Sequence, residues 1–337
     1  MISEKQSIKI LLLCLPDISK PIGGVKQLYK HAEILDELGY NAYVVTEKKA
    51  FRPKWFESKA KTVEVEEART NEEYSAEKCI LVLPETYNGV NQANLFEWDI
   101  REHKKVIFNQ NAYYTFGAEN SEDTKEFYED KNVLQVLSIS EDTHSFLKNS
   151  LGIEDHKISR IINSVEEYFQ PSEEKENIIH WMPRKNPDHS AAVINSLKMQ
   201  RINNAGNWSA SPLVSMSHKE IAAKLNKSLI FLSFGNPEGF GLPVAEAMAA
   251  GNMVIGYSGQ GAKELFRYGY GNTIEFGDWT SFTQEIVKIM NEFETCPREM
   301  EMKLERQSIS IKNLYSSSQE KRSIERAWIR IVQETKR

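Results

Sequence analysis

The residues from Ser233 to Gly251 read S-F-G-N-P-E-G-F-G-L-P-V-A-E-A-M-A-A-G. A strand feeds a loop containing Gly235, Gly239 and Gly241, and Pro243 then opens a helix at the position proline prefers. A glycine-rich loop running into a helix N-terminus presents unpaired backbone N–H groups and a partial positive charge. That combination suits a phosphate or an anionic leaving group. Glu238 lies in the loop and Glu246 in the start of the helix, with seven residues between them. Carboxylates so placed can accept hydrogen bonds from sugar hydroxyls while the amides face phosphate. Ala245, Ala247, Ala249 and Ala250 are small, so the helix can lie close to a sheet.

Other sites of potential chemistry are weaker. Gly23-Gly24 follows the first apolar run, but it is neither Gly-x-Gly-x-x-Gly nor part of a Gly-x-x-x-x-Gly-Lys loop, so nicotinamide and P-loop readings lose ground. The seven histidines are scattered without metal spacing, and Cys14, Cys79 and Cys296 lie far apart. Neither a disulfide scaffold nor a zinc site fits, and a reducing compartment does. Ser233 and Ser258 lack a glycine-flanked nucleophile elbow. With 42 Lys and Arg against 48 Asp and Glu, the net charge is −6, which argues against a general nucleic-acid binder.

The elements that must position these residues alternate between strand and helix. Ile8 to Leu15 is a continuous apolar strand, too short for a signal peptide. A helix from about Val25 to Leu38 follows, stopped by Gly39. Further strands are expected at 42–46, 79–83, 106–109 and 133–138, with a helix at 141–149. A second series begins after Pro171. It has strands at 178–182, 229–233 and 253–257, and helices at 188–199, from Ser217 to about Leu225, at 243–250 and 262–268. Asp278 caps another helix, and nearly everything from Cys296 onward is helical. The 337 residues, 40% hydrophobic and 27% charged, suffice for two cores. Alternation of this kind predicts doubly wound α/β domains with parallel sheets. No apolar run approaches the ~18 residues that span a bilayer.

The Ser233–Gly251 stretch resembles the signature of the retaining GT-B glycosyltransferases, especially glycosyltransferase family 4 (glycosyl transferases group 1). The resemblance implies two Rossmann-like domains facing across a cleft. Residues 1–168 would bind the acceptor, 169–315 the nucleotide-sugar, and 316–337 would form a helix returning to the first domain. It further implies that Glu238 contacts hydroxyls of the transferred sugar, that the backbone of Gly239, Phe240, Gly241 and Leu242 lies near the sugar and diphosphate, and that Glu246 holds the ribose. Pro21-Ile22-Gly23-Gly24-Val25 is similar to the family's Gly-Gly-Val loop. Ile162-Asn163-Ser164-Val165, with Phe169 and Pro171, is similar to the segment leading into the second domain. Met182-Pro183-Arg184-Lys185 stands where the family sets an Arg and a Lys on the diphosphate, although here the two are adjacent. Gly259-Gln260-Gly261, with Glu264, resembles the next loop. Many members carry a His in the first domain. Here Asn109-Gln110-Asn111 follows the strand, offering sugar or acceptor contacts but no base near neutral pH.

The function so implied is retaining transfer of a sugar from a UDP- or GDP-sugar to a glycan, lipid-linked or protein acceptor, in bacterial surface polysaccharide or glycoconjugate synthesis. The absence of Asp-x-Asp in the chain argues for transfer without a metal, and no cofactor is expected. The setting is cytoplasmic, extending to the inner face of the membrane. Lys48, Lys49, Arg52, Lys54, Lys59 and Lys61 surround Trp55 and Phe56, so 48–61 is a candidate membrane or acceptor contact as well as a solvated loop. Two alternatives stay open: a non-catalytic GT-B subunit, and a sugar-nucleotide epimerase or phosphorylase on the same fold.

Overall fold

The computed structural model describes residues 8–87, 97–116, 121–202 and 207–335. The chain divides into two compact units, Met1–Asn163 with Glu320–Arg337, and Ser164–Gln319. The sequence had suggested divisions at 168/169 and 315/316.

The first unit is built on a parallel seven-stranded sheet. Its strands are β1 (Lys9–Leu13), β2 (Asn41–Thr46), β3 (Thr62–Glu64), β4 (Cys79–Pro84), β5 (Lys104–Asn109), β6 (Val133–Ser138) and β7 (Ile158–Arg160). They lie in the order β3-β2-β1-β4-β5-β6-β7. Ile10 to Leu13 of β1 are all buried, as expected where both faces of a parallel sheet are covered. After β3 the chain crosses back to the other side of β1, so a crevice opens between the C-terminal ends of β1 and β4. Ligands of doubly wound sheets bind at such a switch point.

Helix α1 (Gly23–Glu37) enters directly from the Gly-Gly pair and buries Leu28, Ala32 and Leu35. Gly39, at φ +86°, ends it. The short α2 (Val65–Thr70) follows β3, α3 (Ser121–Glu129) precedes β6, and α4 (Glu141–Asn149) is capped by Ser140, whose hydroxyl accepts from Thr143 N.

The second unit carries a parallel five-stranded sheet of β8 (Glu176–Trp181), β9 (Ser209–Pro212), β10 (Ser228–Ser233), β11 (Met253–Gly256) and β12 (Asn272–Thr273). The order is β12-β11-β10-β8-β9, which places its switch point between β8 and β10. Ile179, Ile230, Leu232, Met253, Ile255 and Phe282 are among the residues of its core. The helices are α5 (Pro187–Leu197), α6 (His218–Lys227), α7 (Leu242–Ala249), α8 (Trp279–Thr295) and α9 (Pro297–Leu314). Ser217 and Glu220 form a reciprocal capping box at α6, and Asp278 caps α8.

The helix expected at 262–268 is instead two short 3-10 turns, Gly261–Glu264 and Arg267–Gly269. The backbone before it is tied sideways, Gly261 N donating to Glu238 O at 3.1 Å, which leaves no room to wind a regular first turn.

The last helix, α10 (Ser317–Glu334), belongs to the first unit from Glu320 onward. Ile324, Ala327, Trp328 and Ile331 form its buried stripe. Glu320, almost fully buried, meets Lys30 at 3.1 Å, and Lys104 donates to Thr335 O at 2.7 Å.

Candidate functional site

In the second unit, Lys185 follows β8 and the glycine loop follows β10, so the two segments flank the switch point. Lys185 Nζ lies 2.9 Å from Glu238 Oε1 and donates to Pro237 O at 2.7 Å. Asn186 secures the same loop from the β8 side, its amide donating to Phe234 O at 2.7 Å and Asn236 O at 3.2 Å. Arg184, one residue earlier, is exposed and makes no ion pair among the described residues.

Gly235 lies in close approach to the Glu238 side chain: a Cβ there would sit 2.5 Å from Glu238 Oε1, so a larger residue would have to displace that carboxylate. The Glu238 carboxylate thus lies over the loop backbone. Its main chain is fixed as well, Glu238 N donating to Gly259 O at 2.8 Å in a parallel bridge beside Gln260.

Gly241 caps α7 in the left-handed region, at φ +88°, and Pro243 occupies the first turn. Lacking a side chain, Gly241 supplies no side-chain cap; Pro243 has no N–H and Val244 N donates to Gly241 O at 2.9 Å, so among the described residues Leu242 N is the first-turn amide left without a partner. Phe240 is buried against Tyr315, ring centroids 5.0 Å apart, so only its backbone can serve a ligand. Glu264 accepts from the Tyr315 hydroxyl at 2.9 Å.

One turn into α7, Glu246 is nearly buried, and its Oε1 accepts from His218 Nε2 at 2.8 Å. His218 opens α6, and the hydroxyl of Tyr168 reaches its Nδ1. Neither His218 nor Tyr168 stood out in the sequence, because the contacts join segments 28 and 50 residues apart.

The first unit brings a different set together. Gln110 lies after β5, and its Nε2 donates to Gly24 O at 3.2 Å, beside the N-terminus of α1. Gln110 N donates to Glu85 Oε2 at 2.9 Å. Glu85 is buried at the end of β4, and that burial pushes its carboxyl up to about 7, against backbone hydrogen bonds that favour the charged form. Asn109 is fully buried, its amide donating to Thr115 Oγ1 and the Tyr128 hydroxyl, and Asn111 caps the turn at Tyr113 N. Gln110 is therefore the member of this trio beside the Gly-Gly turn. His103 is buried, with Nε2 3.4 Å from Tyr74 O.

In segment 48–61 the rings turn inward: Phe56 meets Tyr29 at 5.5 Å and Trp55 at 4.6 Å, while Lys48, Lys49, Arg52, Lys54 and Lys59 are exposed. No described helix is long and apolar enough to cross a membrane. Among the described residues, no group of three or more His, Cys, Asp or Glu could hold a metal ion.

Comparison with known proteins bears on this geometry. Residues 212–307 match the family model of glycosyl transferases group 1, a span that includes the glycine loop and both glutamates. A glycosyltransferase structure from Rickettsia africae ESF-5 superposes over 97% of this chain and 99% of its own, with TM-score 0.65 and 16% identity. Anabaena Alr3699/HepE, solved with UDP and glucose, covers 96% and 99%, with TM-score 0.71 and 13% identity. The fold is GT-B.

Among curated proteins, an alpha-1,6-glucosyltransferase of Actinobacillus pleuropneumoniae serotype 7 (strain AP76) is 23% identical over 195 residues. That match covers 56% of this chain and 57% of the relative's own length. On this GT-B chain, the family match begins at the end of β9 and runs into α9, so the Lys185 segment lies upstream of it.

Proposed function

We propose that this chain is a retaining glycosyltransferase that draws its sugar from a nucleoside diphosphate donor. The observation that carries the reading is the Lys185–Glu238 ion pair at the switch point of the second unit, beside the N-terminus of α7 with its unpaired Leu242 N–H. Breaking the bond between the anomeric carbon and the diphosphate oxygen moves negative charge onto the leaving group. A fixed cation and oriented amides stabilise that charge as it develops. Lys185 Nζ and the N-terminus of α7 have this role. Glu238 accepts from hydroxyls of the transferred sugar, and Glu246 from the ribose.

The acceptor hydroxyl attacks on the face from which the diphosphate leaves. Its oxygen takes over the anomeric bond and its proton passes to a departing diphosphate oxygen, so the configuration is retained. The charge is handled by Lys185 and α7, and the reaction runs without a metal. A UDP-sugar, UDP-glucose first, is the donor, a choice supported by the UDP and glucose bound in the Anabaena neighbour and by the glucosyl specificity in the name of the Actinobacillus relative. The acceptor is a glycan or lipid-linked saccharide of the bacterial surface, reached from the cytoplasm. The exposed lysines of 48–61 are the segment open to an anionic membrane face.

Titration calorimetry with UDP, GDP and UDP-glucose, followed by slow donor hydrolysis in EDTA with NMR of the released sugar, tests the reading. Expected are UDP binding, lost on Lys185→Ala, and chelator-resistant release of α-glucose as the first product. A chain that binds none of these nucleotides is not this enzyme. Activity abolished by EDTA and restored by a divalent ion would remove the metal-free mechanism alone.

A further inference from the structure

Glu246 has two carboxylate oxygens in unlike situations. Oε1 is held by His218 Nε2 at 2.8 Å, whereas Oε2 has no hydrogen bond to any described residue. The side chain is only 8% exposed, and Oε2 is not sealed off, so the little access this carboxylate has leads to its unpaired oxygen. A carboxylate pinned at one oxygen and open at the other is prepared to receive a hydroxyl donor.

What pins it is itself pinned. His218 Nδ1 faces the Tyr168 hydroxyl, and the ring lies edge-on to Phe169 with centroids 5.0 Å apart. A carboxylate at Nε2 calls for the tautomer with its proton there, in which Nδ1 is the acceptor and Tyr168 the donor. Tyr168 is anchored in turn, since Asn226 Nδ2 donates to its carbonyl at 2.8 Å and Asn226 Oδ1 accepts from Gln170 N at 3.0 Å. The imidazole orientation is further set by the Ser217–Glu220 capping box, because His218 is the first residue of α6. The segment around Phe169 and Pro171 thus does more than join two units: it carries the outer end of a relay.

We propose that His218 is a positioning residue, held by Tyr168, which orients Glu246 so that its free oxygen accepts from the vicinal hydroxyls of the donor ribose. The proposal rests on the donor reading above. It assigns the relay no part in bond breaking: it acts on recognition of the cis-diol, through Glu246.

The distinguishing probe is UDP against 2′,3′-dideoxy-UDP, titrated into the purified full chain. The wild type binds UDP more tightly than the dideoxy compound. His218→Ala weakens UDP by about tenfold or more, the usual effect of losing a hydrogen bond to a charged group, and leaves dideoxy-UDP within about twofold. His218→Gln, whose amide nitrogen can stand near the Nε2 position, recovers most of the UDP affinity. Tyr168→Phe gives an intermediate loss, and serves as the readout should His218→Ala fold poorly.

Equal weakening of both ligands by His218→Ala would mean that the ring merely holds the site together, and would overturn the proposal. So would UDP binding that is indifferent to His218 and Tyr168 while Glu246→Ala still removes the diol preference; that result leaves the donor reading intact. A wild-type chain that binds neither UDP nor its dideoxy form overturns the donor reading, and the relay's role falls with it.

Discussion

Trp328 donates its indole N–H to His31 Nε2 at 2.8 Å, joining α10 to α1 across 297 residues of sequence. Both side chains are buried, and the imidazole also lies 5.2 Å from the Phe108 ring. The hydrogen bond needs a neutral acceptor nitrogen. Burial supplies it, holding His31 down at about 3.

The sign of the resulting pH dependence is fixed by that depression. Between pH 6.5 and about 3 the unfolded chain binds a proton that the folded chain refuses, so stability is lost as pH falls through this window. At pH 4.5 the loss is on the order of 2–3 kcal/mol from this group. Denaturant melts of the wild type and His31→Gln at pH 7 and 4.5 check it. The variant, which cannot titrate, is expected to lose less on acidification, and parallel losses would show that His31 is already charged in the fold.

Glu85 works in the opposite direction. Its carboxyl is raised to about 7, so between pH 4.5 and 7 the folded chain keeps a proton that the unfolded chain releases, and stability falls as pH rises. Burial is the dominant cause, and the Tyr128 hydroxyl lies within electrostatic reach of the group. Glu85→Gln keeps the size and removes the charge. The variant is expected to gain on the wild type by about 3 kcal/mol on passing from pH 4.5 to 8. A gap between the two proteins that does not change with pH would mean that Glu85 is ionised throughout.

The sheets and their helices were legible because parallel strands such as β1 and β10 each carry four consecutive apolar residues, at 10–13 and 229–232, and because Gly39, Ser217 and Asp278 mark helix ends by their own local chemistry. The strands β3, β7, β9 and β12 were not, since two to four residues carry no period to read. The glycine loop and the helix start it feeds were legible for the same local reason: its glycines, proline and two glutamates lie within nineteen residues. The supports of that loop were not. Lys185 reaches Pro237 from 52 residues away, and Tyr168 reaches His218 from 50. Adjacent in sequence, Arg184 and Lys185 differ only in which way the chain turns after β8.

Gly241 is where the loop has least freedom. A side chain there must adopt φ +88°, and its Cβ would stand 2.6 Å from Ala262 Cβ. Gly241→Ala is expected to destabilise by about 1–3 kcal/mol through backbone strain, and to shift the first turn of α7 off any bound diphosphate. Thermal melts read the first effect and UDP titration the second. Unchanged UDP affinity in a folded Gly241→Ala protein would argue against a ligand at this helix start.

The adjacent cations give the sharpest contrast. Lys185 is tied to Glu238 and to Pro237 O, whereas Arg184 is exposed. Lys185→Ala removes a positioned charge and also leaves the half-buried Glu238 without its cation. A loss of about 10²–10³ in kcat is expected, the range found for removing one preorganised group that meets developing negative charge. Arg184→Ala is expected to cost less than about tenfold, because a mobile side chain must first be ordered before it can help. Lys185→Arg separates charge from fit: the wider guanidinium cannot reproduce a single Nζ shared between Glu238 and the Pro237 carbonyl, so rescue should be partial. Steady-state rates with UDP-glucose decide the order. Equal losses at both positions, or a larger loss at Arg184, would mean that the diphosphate sits nearer the exposed cation and that the Lys185–Glu238 pair opens to admit it.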